Sequence, residues 1–245
     1  MTKKIIMACM ALVALAAFAL PASASAASDP QVTHPTGTLL ATGTKITGTL
    51  VNGTSKMWNT EKTSVQLECT SATTTGELVK NSASSVEGKI TSAIYSGSGG
   101  TAAGEPGSEC TGTFGVGTSV TPQVSAAAPW CLKALSTYAA DEFRIGSGNC
   151  GAGSGEGKVK FILAPTGLSA CTYESTGIVA GTYTTDTTGD AVLTVAAVAH
   201  NGTGGATNGF KKLEGGSFLC PTSSQLEMSF TLELDQETTT PVFIS

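Results

Sequence analysis

The amino-acid sequence predicts an all-β protein, an antiparallel β-sandwich stapled by about three disulfides. Apolar and polar residues alternate with a period of two in many short segments, and clusters of Gly, Ser, Asp and Asn separate these segments. Six cysteines follow an N-terminal export signal, and an even number of cysteines in an exported chain is typical of a disulfide framework. The first observation predicts the fold class, and the second predicts an oxidising compartment.

The N-terminal segment has the three parts of a secretory signal peptide. Lys3 and Lys4 precede an uncharged apolar run over residues 5–20, and Pro21 leads into a run of small residues with two overlapping cleavage sites. The run is short for a membrane span and lacks a basic stop, which disfavours an uncleaved anchor. We therefore predict a cleaved signal peptide at residues 1–26, which also removes Cys9.

The remaining residues, 27–245, are predicted to form a single secreted β-sandwich domain with no further membrane span. Two of the 13 Lys and Arg residues lie in the signal, whereas all 18 Asp and Glu residues lie after it. This acidic balance, without a cluster of basic residues, disfavours nucleic acid or an anionic membrane as partner.

The clearest strand lies near the C-terminus. Five apolar residues alternate there with polar ones: Leu226, Met228, Phe230, Leu232 and Leu234. A period of two places them on one face of a strand, whereas a helix would scatter them around its axis. Weaker copies of this pattern cover residues 45–50, 65–69, 90–95 and 159–163.

Two further segments predict paired strands. Residues 181–185 and 191–198 flank Asp186-Thr187-Thr188-Gly189-Asp190, a polar link typical of a hairpin turn. Residues 129–143 fit either a helix that begins at Pro129 or a strand pair, and the surrounding β pattern favours the strands.

The cysteines are interpreted as three disulfides. Six cysteines allow fifteen pairings, which the sequence alone does not distinguish. Sequential strands tend to be neighbours in space, which favours pairing of consecutive cysteines. The expected bonds are Cys69–Cys110, Cys131–Cys150 and Cys171–Cys220. Zinc binding is disfavoured, because no Cys-x-x-Cys motif occurs and only His34 and His200 could complete a ligand set. We predict no metal site and no cofactor.

No complete catalytic set is visible in the sequence. A hydrolase would need a His base, and His200 with Asp186 or Asp190 is the best candidate. His200 lacks a Gly-x-Ser-x-Gly elbow and is more simply a residue at a strand end. Asp141 and Glu142 would point to opposite faces of a strand, and Asp186 and Asp190 suit a turn. We therefore predict no catalytic residue.

Several short motifs resemble small secreted bacterial β-proteins of the alkane-oxidation protein activator type and uncharacterised exported proteins of soil bacteria. The motifs are a Thr-rich strand ending in Cys69, a β segment reaching Cys110, Ala128-Pro129-Trp130, Gly148-Asn149-Cys150, Cys171-Thr172-Tyr173-Glu174, Phe218-Leu219-Cys220-Pro221 and the ending Pro241-Val242-Phe243-Ile244-Ser245. The resemblance implies an exported β-protein acting at cell surfaces or hydrophobic interfaces, and it carries over no catalytic residue.

These observations predict a secreted, non-catalytic β-protein that binds a cell surface, a polymer or a hydrophobic interface. The alternatives are a secreted hydrolase and a carbohydrate-binding module. In the carbohydrate-binding module, exposed Trp58, Trp130, Tyr138 or Tyr183 would stack on sugars, whereas burial of these rings in the core would exclude that role.

Overall fold

We describe the protein from a computed structural model. It defines residues 30–34, 36–51, 55–59, 63–97, 109–112, 117–151, 157–185, 190–196, 208–213, 216–218, 220–234, 237–241 and 243–244. The predicted signal peptide lies outside the described residues.

The described residues form eighteen strands. They are β1 (Val32–Thr33), β2 (Lys45–Leu50), β3 (Ser55–Trp58), β4 (Val65–Cys69), β5 (Ser71–Ser82), β6 (Ser85–Ser96), β7 (Cys110–Gly112), β8 (Gly117–Pro122), β9 (Trp130–Leu135), β10 (Glu142–Ser147), β11 (Lys160–Pro165), β12 (Cys171–Ser175), β13 (Val179–Thr185), β14 (Ala191–Val195), β15 (Gly209–Lys212), β16 (Ser223–Leu234), β17 (Glu237–Pro241) and β18 (Phe243–Ile244).

The prediction of an antiparallel all-β fold with three disulfides is confirmed. Sixteen strands form one continuous sheet, and β1 pairs with β18 in a second, two-stranded sheet. All pairings between strands are antiparallel, as short turns between consecutive strands require. The two layers expected of a sandwich are the opposite walls of this one curled sheet.

The large sheet closes on itself through β16, a strand of 12 residues. One half of β16 pairs with β14 and β2, and the other half pairs with β15 and β3. The upper circuit therefore runs β2-β5-β6-β9-β10-β13-β14-β16, and the lower circuit runs β3-β4-β7-β8-β11-β12-β15-β16. Within each circuit the strands follow chain order, but the chain alternates between the circuits in two-stranded hairpins, such as β3–β4 in the lower circuit and β5–β6 in the upper one.

The strand predictions are confirmed where the chain is described. The alternating C-terminal segment lies in β16, and the hairpin arms pair as β13 and β14, with Thr185 opposite Ala191. Residues 129–143 hold β9, a turn and the start of β10, so the strand interpretation is correct and the helix is wrong. Residues 186–189 of the hairpin turn lie outside the described part of the chain.

Consecutive cysteines form the three disulfides, as predicted: Cys69–Cys110, Cys131–Cys150 and Cys171–Cys220. Strand neighbours within one circuit explain the first of these bonds. Cys69 ends β4 and Cys110 begins β7, which are neighbours in the lower circuit. Three disulfides are typical of proteins that fold in an oxidising environment.

The buried apolar side chains form one cluster inside the sheet. Phe161 stacks on Tyr173 with ring centroids 5.3 Å apart, and Phe210 packs against Phe161 at 4.9 Å. The buried Tyr173 hydroxyl donates a 2.7 Å hydrogen bond to the Pro221 carbonyl, which satisfies its polar end. Burial raises the pKa of Tyr173 and of Tyr95. No helix in the described residues is long and apolar enough to cross a membrane.

Candidate functional site

Two of the four aromatic residues proposed for sugar stacking lie in the core. Trp130 and Tyr183 are 7% and 4% exposed, respectively, so neither presents a ring to a ligand in solvent. Trp58 and Tyr138 are half-buried. Tyr138 contacts a cation, because the Arg144 guanidinium lies 3.9 Å from the centre of its ring. Tyr138 and Trp58 are therefore the two rings that still fit a surface role.

The described part of the chain brings no catalytic set together. His34 lies in the turn after β1, where its carbonyl accepts a hydrogen bond from the Gly37 amide. Glu142 forms an ion pair with Arg144 at 2.6 Å, and Asp141 occupies the preceding turn with a φ of 58°. His200 and Asp186 lie outside the described residues. Among the described residues, no group of three His, Cys, Asp or Glu side chains could hold a metal ion.

Two apolar cavities occupy the interior of the closed sheet. The larger, of about 100 Å³, lies within the upper circuit and is lined by Leu78, Val86, Leu132, Phe143 and Leu193, among others. The smaller, of about 40 Å³, lies within the lower circuit. Tyr95, Trp130 and Ile145 line both cavities, so these three side chains form the partition between them.

Glycines on the inner face leave the larger cavity open. Gly88 lies between Val86 and Ile90 on the face of β6 that lines the cavity. A Cβ atom at Gly88 would meet only the Leu132 Cβ, at 3.9 Å, which is an ordinary contact. Gly181 on β13 is different, because a Cβ there would clash with the Thr194 carbonyl oxygen and lie 2.6 Å from the Phe143 ring. Space is therefore free beside Gly88, while Phe143 already fills the position beside Gly181.

An apolar tip projects from the lower end of the sheet. Phe218 is 89% exposed and Leu168 is 37% exposed. They lie on two adjacent turns, since the Ser217 amide donates to the Ser169 carbonyl at 3.2 Å. We call Leu168 and Phe218 the apolar tip. Large apolar side chains exposed together are typical of sites that contact another apolar surface.

The turn that carries Phe218 is held from several sides. The Cys171–Cys220 disulfide joins it to β12, and the Lys212 ammonium donates to the Ser217 carbonyl at 3.3 Å. Gly216 has a φ of 78° and lies against Cys171, where a Cβ would come within 2.7 Å of the cysteine sulfur. Phe218 is thus held out in solvent by a constrained turn.

These features define the protein as an antiparallel all-β, disulfide-bonded protein with an apolar interior and an apolar tip. No protein-family model, no curated protein and no solved structure matches the chain. The resemblance to secreted bacterial β-proteins therefore stays a prediction.

The tip and the cavities are features that the sequence reasoning missed. In the sequence, Phe218 stands out only as part of a motif around Cys220, although Gly216 and Pro221 flank it in a pattern typical of a turn. An aromatic residue in a predicted turn next to a cysteine was the available signal. The cavity had a weaker signal, in Gly48, Gly76 and Gly88 at strand positions where a side chain would otherwise pack.

Proposed function

We propose that this chain is a secreted, non-catalytic β-protein that binds a hydrophobic interface through the apolar tip. The exposure of Phe218 at 89% carries the proposal. An exposed Phe gives nothing to the stability of the isolated protein, yet it gains about 1.5–3 kcal/mol when it is fully buried in an apolar phase. The three disulfides fit the secreted location.

The size of the tip favours an apolar phase over a protein partner. Two side chains offer far less than the roughly 800 Å² per partner that a stable protein interface buries. A hydrocarbon or polymer surface has no such requirement, because each inserted side chain contributes by itself. The acidic composition, with 18 Asp and Glu against 13 Lys and Arg, further favours an uncharged surface over an anionic one.

The test compares adsorption of Phe218→Ser and wild-type protein to hexadecane droplets. We expect Phe218→Ser to lower the partition coefficient by on the order of 10- to 100-fold, since the insertion energy of one Phe is lost. Phe218→Trp should keep the adsorption. Ile94→Ser is the matched control, because Ile94 is 40% exposed but lies on the side of β6.

The outcome that contradicts the proposal is equal adsorption of wild-type protein and Phe218→Ser. Adsorption lowered as much by Ile94→Ser would contradict it too, because any exposed apolar residue would then act alike. Retention on purified cell walls or polysaccharide that is unchanged in Phe218→Ser would favour a cell-surface or polymer partner instead.

A second candidate function is the binding of a small apolar molecule, which the interior cavity favours. An engineered apolar cavity of about 150 Å³ in another protein stays dry and binds benzene or xenon. The larger cavity here, at about 100 Å³, is of the same order and mostly apolar, with Thr74, Glu77 and Lys89 also on its lining. Xenon should therefore shift the NMR signals of Leu78, Val86 and Leu193, and shifts spread evenly over the protein would contradict this assignment.

A further inference from the structure

A polar pocket of about 380 Å³ lies on the outer face of the upper circuit. Its lining residues are Lys80, Ser84, Ser85, Glu87, Lys133, Leu135, Ser136, Thr137 and Tyr138. They come from β5, β6, β9 and the turn that follows β9. We call this space the Lys133 pocket. It is separate from the apolar tip and from both interior cavities.

The register of the sheet brings the charged residues of the pocket into one row. Lys80 lies opposite Glu87 in the β5–β6 pair, Glu87 lies opposite Lys133 in the β6–β9 pair, and Lys133 lies opposite Arg144 in the β9–β10 pair. Arg144 is already paired with Glu142 and stacked on Tyr138. Two lysines and one glutamate therefore remain at the pocket, with one positive charge in excess.

Chain segments around the row bury its centre. Lys133 is 4% exposed and Glu87 is 5% exposed, although both are on the outer face of the sheet. The Cys131–Cys150 disulfide places residues 150–151 over this face, and the Gly151 amide donates to the Glu87 carboxylate at 2.8 Å. One oxygen of Glu87 is thus occupied from the side of the loop.

One buried polar group at the pocket lacks a partner within the described residues, the Ser85 hydroxyl. The Lys133 side chain is mostly covered, but its ammonium remains accessible from the pocket and forms neither an ion pair nor a hydrogen bond with the described residues. Ser85 is 3% exposed. A buried hydroxyl without a partner is costly, so the Ser85 hydroxyl calls for a group that enters the pocket and pairs with it.

We propose that the Lys133 pocket binds a sugar acid of the hexuronate class. One carboxylate matches the single excess positive charge and accepts charge-assisted hydrogen bonds from Lys133 and Lys80. The ring hydroxyls pair with the Ser85 hydroxyl and with Glu87, which accepts from a hydroxyl donor but would repel a second anion. A neutral sugar leaves Lys133 unpaired, and a simple anion leaves the Ser85 hydroxyl unpaired.

Three probes separate these contributions in a titration followed by NMR chemical shifts. Glucuronate carries both the carboxylate and the hydroxylated ring, glucose carries only the ring, and acetate carries only the carboxylate. We expect glucuronate to bind at least ten times more tightly than glucose or acetate, with an affinity that falls as salt is added. Equal affinity for acetate and glucuronate would overturn the sugar assignment, and equal affinity for glucose would overturn the role of the ammonium.

Variants test the residues themselves. Lys133→Met keeps the length of the side chain and removes the charge, so it should abolish glucuronate binding while the folded protein unfolds at the same or a higher temperature. Lys45→Met is the matched control, because Lys45 is on the same outer face but pairs with Glu77. Undiminished affinity in Lys133→Met would overturn the proposal.

A second variant covers the case in which Lys133→Met does not fold. Ser85→Ala removes one hydroxyl from the pocket and should weaken glucuronate binding several-fold, with little change for acetate. Full affinity in Ser85→Ala, or equal loss for the two probes, would overturn the proposal. Phe218→Ser should bind glucuronate like wild-type protein, so failure of the tip proposal and failure of this one are distinguishable.

Discussion

Filling the larger interior cavity should stabilise the protein, and Gly88 is the position at which to do it. Val at position 88 would place three carbon atoms in the space between Val86, Leu132 and Phe143. The backbone need not move, because the nearest atom to a Cβ there is 3.9 Å away. Gly88→Val therefore places its Cβ in the core without a clash.

The expected gain has two parts. At about 24 cal/mol per Å³, a cavity of 100 Å³ corresponds to about 2.4 kcal/mol of lost packing, of which Val recovers a fraction. Replacing Gly within a strand adds about 0.5–1 kcal/mol, because Gly loses more backbone entropy on folding. We expect Gly88→Val to raise the free energy of unfolding by about 1–2.5 kcal/mol, or Tm by about 3–8 °C for a domain of this size.

The assay is equilibrium unfolding in urea with the disulfides intact, supported by thermal unfolding. Gly177→Ala controls for backbone entropy, because Gly177 is exposed and a Cβ there would contact nothing. Gly181→Ala is the opposite control, since its Cβ would press on Phe143 and should cost about 1–3 kcal/mol. Gly88→Val should also abolish any stabilisation by benzene or xenon.

Two results would refute this reasoning. If Gly88→Val unfolds at a lower urea concentration than wild-type protein, the space beside Leu132 does not accept a side chain. If its gain only equals that of Gly177→Ala, the stabilisation comes from the backbone alone and the cavity contributes nothing.

The other predictions concern disulfides and titrating groups. The loop-entropy relation gives the stabilisation by each disulfide from its sequence separation. Separations of 49 residues for Cys171–Cys220, 41 for Cys69–Cys110 and 19 for Cys131–Cys150 correspond to about 4.1, 3.9 and 3.2 kcal/mol. Replacing both cysteines of a pair by Ala should therefore cost least for Cys131–Cys150, as measured by urea unfolding, and the reverse order would contradict this. Lys158 and Lys160 hold the pKa of the Glu174 carboxyl below its usual value, so its stabilisation is present above the unfolded pKa and lost as pH falls through the folded one. Glu174→Gln should reduce the loss of unfolding free energy at acid pH by less than about 1 kcal/mol, since the ion pairs of Glu174 with Lys158 and Lys160 are partly exposed. An unchanged loss of stability at acid pH would contradict this prediction. Burial raises the pKa of Tyr95 and Tyr173, so the folded state retains their protons and stability should fall above a pH of about 10, where the unfolded chain ionises. Phenolate absorbance should show these two tyrosines titrating only on unfolding, and their early ionisation would exclude the burial described here.

The positions of several strands could be predicted from the sequence, because they rest on local signals. The alternation from Leu226 to Leu234 and the polar link between β13 and β14 are each read within a few residues. The expectation that sequential strands are neighbours led to the correct cysteine pairs, although Cys69–Cys110 joins β4 to β7, which are not consecutive strands. Closure of the sheet by β16 was not predictable in this way, because it joins Phe230 to Leu50 across most of the chain.

The candidate sites depend on contacts that a period of two does not encode. Lys133 alternates with Leu132 and Ala134 and should face solvent, yet the turn after β9 and the loop at Cys150 cover it. Phe218 is the opposite case. A large apolar residue is expected inside the core, but the turn that carries Phe218 holds it outside. In both cases the deciding element is a loop, and loop positions follow from tertiary contacts rather than from strand periodicity.

Closure through β16 also determines the order of folding events. Neighbouring strands such as β5 and β6 can pair as soon as they exist, and a disulfide such as Cys131–Cys150 closes a loop of only local reach. Both circuits, however, need residues 223–234 to close, so we expect the slow step of folding to be a contact of high sequence separation. A chain exported from its N-terminus onward would thus keep an open, incompletely paired sheet until β16 has crossed the membrane. Pairing of β16 would then close both circuits together.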